Sequence, residues 1–413
     1  MKVLLLGESD INGGAARGMY RLHQGLQSAG VESSLLVRDR RSTDPFVVAH
    51  KTILTKLGPP LNNLALKRYP QTQTLFSAQW FPDDLLPAVR QINPDLVNIN
   101  WVCNGYLRIE TIAQFNKPLI WTLHDMWPMT GGCNYNEGCD RYQHTCGNCP
   151  QLFSQRESDL SRWIWRRKAR AWKNLNLSLV APSRWIAQCA AESSLFKDRR
   201  IDVIHGGLDT HTYRPIPQQT ARELLNLPQN KHLVLFGAPG AVTDKRKGFQ
   251  LLLPALQNLS QAGWGDRLEV VVFGASQSES SARLSFKAHY LGKLSDDITL
   301  ALAYSAADVM VVPSLQESFG QTASESLACG TPVVAFNATG LRDIVDHQQN
   351  GYLAKPFEVD DLAQGIAWVL GDDDRRQVLS QSAREKAVRS FSVALQADRY
   401  QSLFHEIGRL NSP

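Results

Sequence analysis

No apolar run in this chain reaches the ~20 residues that a membrane-spanning helix needs, so no span is expected. Charge of neither sign dominates. The 44 basic and 39 acidic residues leave a net charge of +5 over 413 residues, too mild to imply nucleic acid, and no such partner is expected. The opening residues, Met1-Lys-Val-Leu-Leu-Leu-Gly-Glu-Ser-Asp10, lack the small-residue cleavage site of a secretory leader. They read as a first strand, and a cytoplasmic protein is expected. Cysteine is sparse, at seven residues. In that compartment thiols are more often free or metal-bound than paired in disulfides. No close internal repeat is present. The full dinucleotide fingerprint is also missing. Gly13-Gly14 follows the first strand, but no acidic residue stands in the expected setting after the second, which leaves a nicotinamide dehydrogenase weakly supported.

What is present is an ordinary globular composition, 43% hydrophobic and 20% charged. The length suits two or three domains. Val3 to Leu6 reads as a strand, Ala15 to Ala29 as a helix closed by Gly30, and Val31 to Val37 as a second strand. This opening favours a parallel α/β sheet. For Gly13 and Gly14 a tight turn and the close approach of a ligand to the helix start both remain open. Residues 40 to 90 are less regular, with Pro59, Pro60, Pro70, Pro82 and Pro87. Residues 94–100 and 118–123 continue the strand pattern. The second of these ends at His124-Asp125, at a strand C-terminus where α/β proteins collect functional groups.

An insert from Met126 to about Pro150 carries Cys133, Cys139, Cys146 and Cys149. The Cys146-Gly-Asn-Cys149 pair is the kind of knuckle that wraps zinc, while the first pair is looser than usual. Structural zinc and free or redox-paired thiols both stay open. A turn-rich insert of this length needs some staple. Ser161 to Lys173 reads as a basic helix. Arg162, Arg166, Arg170 and Lys173 share one face, and Trp165, Ala169 and Trp172 another. An amphipathic surface helix packed on the sheet accounts for it. The sharper reading is a contact with an anionic membrane or a lipid-linked acceptor.

After a linker-like stretch, His205-Gly-Gly-Leu-Asp209, the α/β rhythm restarts. Two such sheets facing each other put their strand C-termini across one cleft. The central stretch is Pro313-Ser-Leu-Gln-Glu317-Ser-Phe-Gly320-Gln-Thr-Ala-Ser-Glu325-Ser-Leu-Ala-Cys-Gly330, between apolar runs at 307–312 and 331–336. It reads as a loop and a short helix that Gly330 can stop in a left-handed cap. Two carboxylates eight apart mean little alone. Beside a glycine, a helix start and a strand end they suit a ligand that has both phosphate and hydroxyls, as a sugar nucleotide does.

With these residues laid out, the chain resembles glycosyltransferase family 4, which has the GT-B fold of two Rossmann-like domains. The resemblance rests on Glu317-x7-Glu325, Pro313-Ser314, Gly330-Thr-Pro-Val-Val334, Gly340 to Leu353, the His205 linker and Gly13-Gly14. The insert after His124-Asp125-Met-Trp-Pro128 resembles a bacterial subset that builds surface polysaccharides. The resemblance implies an N-terminal acceptor-side domain over 1–204 and a nucleotide-sugar domain over 205–385. A C-terminal helix over 386–413 can pack back on the first. It implies transfer of a hexose, with retention, from a nucleotide diphosphate sugar to a lipid-linked or polysaccharide acceptor at the inner membrane face. A GT-B sugar-nucleotide epimerase and a zinc-stapled binding module are the alternatives. In this reading Glu317 holds the donor sugar's hydroxyls and Glu325 the ribose. Ser318, Phe319, Gly320 and Gln321 line the donor, with the backbone N–H groups of the last three on sugar and phosphate. Lys247 neutralises the leaving diphosphate, His124 positions the sugar or relays a proton, and the backbone near Leu291-Gly292 meets the base. The family often has an Arg after the first C-terminal-domain strand. The loop Gly237-Ala-Pro-Gly-Ala241 has none, which leaves Arg246 or Lys245 to supply that charge. No metal-carboxylate motif of the Asp-x-Asp kind is read as part of the site, and no catalytic metal is expected, since basic side chains and helix ends would do that work.

Overall fold

The computed structural model describes residues 1–72, 74–238, 240–276 and 284–410, the side chain of Leu410 excepted. The chain divides into two units, Met1–His205 with Ala394–Pro413, and Gly206–Val393. In the first, seven parallel strands lie in the order β3-β2-β1-β4-β5-β6-β7. They are β1 (Lys2–Ser9), β2 (Glu32–Asp39), β3 (Val47–Ala49), β4 (Leu96–Ile99), β5 (Leu119–Thr122), β6 (Leu177–Ala181) and β7 (Ile201–Val203). In the second, six parallel strands lie in the order β10-β9-β8-β11-β12-β13. These are β8 (His232–Gly237), β9 (Leu268–Phe273), β10 (Ala288–Gly292), β11 (Val309–Val312), β12 (Val333–Phe336) and β13 (Gly351–Ala354). Both sheets are Rossmann-like. Each reverses direction of growth once, between β1 and β4 and between β8 and β11. Loops leaving the C-terminal ends of neighbouring strands diverge there, and open α/β sheets bind ligands at such points.

Strands β4, β5, β6, β11 and β12 are buried at every residue. A parallel sheet is covered on both faces, which is why these strands read as near-continuous apolar runs. The helix Val393–Leu410 returns to the first unit. Its Ala397, Tyr400, Leu403, Phe404 and Ile407 are buried in one cluster with Val3, Leu5, Met19 and Leu22. The Tyr400 hydroxyl lies 2.9 Å from Thr122 Oγ1 in the sheet.

Two elements differ from the sequence expectation. Within the stretch read as irregular, Ile53–Leu64 is helical despite Pro59 and Pro60 inside it. A reciprocal capping pair fixes its start, with Thr52 Oγ1 accepting from Thr55 N and Thr55 Oγ1 from Thr52 N. Tertiary contacts hold the rest, since Asn62 Oδ1 accepts from both Ala78 N and Gln79 N at 3.0 Å. Leu85–Ile92 is a second short helix there, ended by Asn93 in the left-handed region. Among the described residues no helix is long and apolar enough to cross a membrane.

The amino ends of β8 and β11 are tied by a buried ion pair. Arg222 donates to Asp308 Oδ2 at 2.8 Å, and the same oxygen accepts from Leu233 N at 2.7 Å. Arg222 also donates to the carbonyls of Ala306, Gln229 and Lys231. Such a pair is weak evidence of net stabilisation, but breaking it strands a buried charge. Asp308→Ala is therefore expected to lower unfolding free energy in urea by about 3–5 kcal/mol. A loss below about 1 kcal/mol would show that the guanidinium is solvated by the carbonyls alone.

Candidate functional site

In the second unit the site is assembled by a close backbone approach. After β8 the chain forms a short turn, Lys245–Lys247, started by Asp244, whose carboxylate accepts from Arg246 N at 3.0 Å. Gly248 follows with φ +75°, and a Cβ there would stand 1.8 Å from the Pro313 carbonyl oxygen. No other residue fits at 248. The turn thus lies directly on the end of β11, where Leu315 N donates to the Arg246 carbonyl at 2.8 Å. This places Lys247 Nζ 2.6 Å from Glu317 Oε1. Ser314 Oγ donates to the same oxygen at 3.0 Å. The Glu317 backbone is held on both sides, by Thr339 Oγ1 and by Gly340 N. The guanidinium of Arg246 is paired with Asp244 at 2.5 Å.

Gly320, at φ +112°, opens the helix Gln321–Ala328. Leu341 would collide with any side chain at 320. The N–H groups of this helix start are therefore presented over a tightly packed turn. The Phe319 ring is buried, edge-on to Phe391 at 5.5 Å, so only its backbone can meet a ligand. Glu325 is buried in the helix and accepts from the Tyr304 hydroxyl at 2.8 Å. Gly330 takes φ +78° beyond the helix end. Gly292 ends β10 at φ +66° with open space where a side chain would stand. The structure thus brings Arg246, Lys247, Glu317, Ser318, Phe319, Gly320 and Gln321 to the ends of β8 and β11. Glu325 sits deeper, and Gly292 lies at the end of an edge strand. Of the expected loop Gly237–Ala241, Pro239 lies outside the described residues. The one Asp-x-Asp triplet, Asp372–Asp374, starts the helix Asp373–Phe391, with the Asp372 carboxylate accepting from Arg375 N.

In the first unit, Gly13 precedes the helix Gly14–Ser28 with φ +95°. Backbone conformation rather than lack of space requires glycine there, since a Cβ at 13 would meet nothing within 4 Å. Asp10, just before it, is saturated by the N–H groups of Ile11, Arg41 and Ser42 and joins the loops after β1 and β2. At the end of β5, His124 Nε2 lies 2.9 Å from Asn100 Oδ1. Asn100 spends its amide N–H on Asn98, so its oxygen accepts and Nε2 of His124 carries the proton. Burial pushes the His124 pKa down to about 4, which keeps the ring neutral at pH 7. Asp125 accepts from Trp127 N and Trp101 Nε1 and orders the start of the insert.

Cys133, Cys139, Cys146 and Cys149 line one cavity of about 20 Å³. Burial raises the Cys146 thiol to about 12 and the Cys149 thiol to about 11. Among the described residues no group of three or more His, Cys, Asp or Glu side chains is arranged to hold a metal ion. The expectation of structural zinc on these cysteines is not supported. The staple is instead Lys168, fully buried, with Nζ 3.0 Å from the Thr130 carbonyl and 3.6 Å from the centre of the Trp127 ring. It also donates to the Trp127 carbonyl. Burial pushes its pKa down to about 7. Lys168 comes from the helix Leu160–Ala171, the one read as a basic face. On that face Arg162 is committed to the Cys146 carbonyl and Glu157, while Arg166, Arg170 and Lys173 are exposed.

Sequence reasoning missed Asn100, Tyr304 and Lys168. The two asparagines inside the apolar run Leu96-Val-Asn-Ile-Asn100 were a usable signal, because a buried strand rarely spends positions on amides. Nothing local marked Tyr304 or Lys168.

Two family descriptions match the chain. "Glycosyltransferase Family 4" covers residues 12–212 and "Glycosyl transferases group 1" covers 218–386. A D-inositol 3-phosphate glycosyltransferase of Thermobispora bispora is 33% identical over 225 residues, 51% of this chain and 52% of that relative. A protein of the same name from Xylanimonas cellulosilytica is 36% identical over 201 residues, 45% of this chain and 46% of its own length. The matches thus span about half of these curated relatives. Among solved structures, sucrose-phosphate synthase of Thermosynechococcus elongatus superposes with a TM-score of 0.71 at 22% identity, covering all of both chains. Anabaena HepE in complex with UDP-glucose superposes at 0.66 and 19% identity, covering 98% of this chain and all of the other. At these identities the two structures establish the shared fold.

The His124 environment has a pH signature. The native pKa of about 4 lies below the ordinary 6.5. The unfolded chain therefore binds the proton first as pH falls, and His124 withdraws stability between 6.5 and 4. The full effect is about 3 kcal/mol. His124→Gln should flatten that part of the stability curve in urea titrations. In NMR spectra the His124 ring resonances should stay at their neutral positions down to pH 5 or so. A midpoint near 6.5 would contradict the neutral, half-buried ring.

Proposed function

This chain belongs to the glycosyltransferases, family 4 over its first half and group 1 over its second, and from that premise we propose that it moves a hexose from a nucleotide diphosphate sugar to a lipid-linked or polysaccharide acceptor with retention at the anomeric carbon. The observation that carries the proposal is the Lys247–Glu317 contact at 2.6 Å beside the start of the helix Gln321–Ala328. One point on the sheet edge thereby offers a cation and helix N–H groups for phosphate and a carboxylate for hydroxyls.

In the reaction the bond from the anomeric carbon to the diphosphate breaks and a bond to the acceptor hydroxyl forms. The electron pair leaves with the diphosphate, whose new charge is met by Lys247, Arg246 and the N–H groups of Phe319, Gly320 and Gln321. Glu317 accepts hydrogen bonds from the sugar and Glu325 from the ribose. Tyr304 holds one Glu325 oxygen in place. The acceptor hydroxyl's proton passes to the departing phosphate oxygen, with the neutral imidazole of His124 positioning the sugar or relaying it. The backbone at Gly292 meets the base. In the first unit Gly13 and Gly14 admit the ligand to the helix start. A lipid-linked acceptor puts the reaction at a membrane surface, on the cytoplasmic side where nucleotide sugars are found.

The test is a thermal-shift panel of nucleoside diphosphates and their sugars, followed by transfer with the best donor. A bound donor should raise the melting temperature. Lys247→Ala should lower kcat by about 10²–10³-fold, as removal of one charge-stabilising group does. Glu325→Gln should lower kcat/KM by roughly 10–100-fold through the lost charged hydrogen bonds. Near-normal turnover in a folded Lys247→Ala protein overturns the proposal. So does an isomerised sugar nucleotide formed without acceptor.

A further inference from the structure

The helix Ile53–Leu64 is packed inside out. Its buried residues are Thr55, Gly58 and Asn62. Three of its five large aliphatic residues face solvent, with Ile53 75%, Leu57 43% and Leu64 44% exposed, while Leu54 and Leu61 are half-buried. At 3.6 residues per turn, positions 53, 57, 60 and 64 form one stripe. Positions 55, 58 and 62 form the opposite one. Ordinarily the apolar stripe turns to the core.

Two contacts prevent this helix from turning over. A Cβ at Gly58 would stand 2.1 Å from the Gly105 carbonyl oxygen, so the backbones meet there and no larger residue fits. Asn62 is fully buried and its amide oxygen satisfies the N–H groups of Ala78 and Gln79. Rotating the helix would leave those two donors unpaired in the interior. The outward apolar stripe is therefore built into the packing.

Charge points to the occupant. From Pro45 to Pro82 there is no acidic residue. Lys51, Lys56, Lys67 and Arg68 fall in that stretch and all are exposed. On the helix projection Lys56 borders the apolar stripe, and Lys67 and Arg68 follow its end in the tighter turn Ala65–Arg68. The carboxylate nearest the helix start, Asp84, is engaged by His50 and Thr52. An apolar stripe bordered by cations, with no anion among them, matches a surface whose edge is anionic and whose interior is hydrocarbon. A soluble protein partner supplies the first or the second, rarely both along a flat strip of this length.

We propose that residues 51–68 form an interfacial helix that lies on an anionic phospholipid bilayer, with Ile53, Leu57 and Leu64 in the headgroup–acyl boundary and the four cations at the phosphates. This deepens the reading of a lipid-linked acceptor by naming the surface that meets the membrane, and it rests on that reading only for its purpose. Binding is reversible, because three side chains and four charges fall well short of an anchor.

The experiment is co-sedimentation of the full chain with vesicles of phosphatidylcholine alone and of phosphatidylcholine mixed with phosphatidylglycerol. Binding should appear with the mixed vesicles, weaken steeply as salt is raised, and be slight with phosphatidylcholine alone. Leu57→Asp together with Leu64→Asp should weaken it at least about tenfold, the loss expected when leucine burial is removed. Both positions are exposed, so melting temperature and nucleotide-sugar binding should stay unchanged. Arg166→Glu with Arg170→Glu, on the other helix, should change binding little. Absence of binding to mixed vesicles overturns the proposal. Equal binding by the Leu57→Asp, Leu64→Asp protein overturns it as well. A dimer in light scattering that these two substitutions dissociate would reassign the face to a second copy of the chain. Donor binding and transfer to a soluble acceptor analogue are scored separately, so failure here leaves the transferase reading standing and the converse holds too.

Discussion

All strands in each sheet run in one direction, and the placement of function follows from that constraint. Parallel strands need a crossover between each pair, so the chain leaves the sheet at one edge and returns at the other. Where the order reverses, between β1 and β4 and between β8 and β11, two such loops part and leave room between them. Lys247 follows one of these strands and Glu317 the other, seventy residues apart in sequence and 2.6 Å apart in space. Gly248 makes the meeting possible, because the chain must pass within contact of the Pro313 carbonyl to bring the lysine across.

The interior of the first unit shows the opposite economy. Lys168, Asp125, Asn100 and Asn62 are all buried polar groups, and each is matched to partners that fix a loop or a helix. Such groups are costly when half satisfied and specifying when fully satisfied. Lys168 shows how one of them ties a loop down. Its side-chain nitrogen meets two backbone carbonyls and two indole faces at the base of the insert. The neighbouring thiols stay protonated because burial opposes the thiolate. The same logic explains the reversed helix. Asn62 was placed inside to serve two backbone donors, and the apolar side chains were left outside.

These differences mark what could be read in advance. Strands β4, β5, β11 and β12 were legible because burial on both faces leaves an apolar run with turn residues at its ends. That Glu317 and His124 lie just beyond strand ends could be read from the apolar runs before them, whereas Lys247 was singled out only by the family resemblance. The helix Ile53–Leu64 was not legible. Its two prolines oppose helix formation, and its stabilising contacts are to Gly105, Ala78 and Gln79, which no local window contains. The cysteine spacing suggested a metal because spacing is visible in a sequence, whereas the cation–carbonyl staple depends on a lysine eighteen or more positions downstream. Tyr304 escaped for the same reason: its hydroxyl meets Glu325 only after β11 and the helices on either side of it, Asp297–Ala306 and Gln321–Ala328, are in place.

One consequence of the Lys247–Glu317 pair concerns how a ligand enters. The two charges satisfy each other, and Ser314 adds a second hydrogen bond to the same carboxylate oxygen. A diphosphate and a sugar arriving together can replace both halves of the pair, one offering anionic oxygen to the lysine and the other hydroxyl donors to the glutamate. A free phosphate or a free sugar can replace only one half and leaves the other charge with a poorer partner. Stranding one member of a partly buried pair costs more than the pair itself contributes, so under the proposed function the contact favours the joined ligand over its pieces. Under the proposed transfer the pair therefore selects for the covalent link that the reaction breaks.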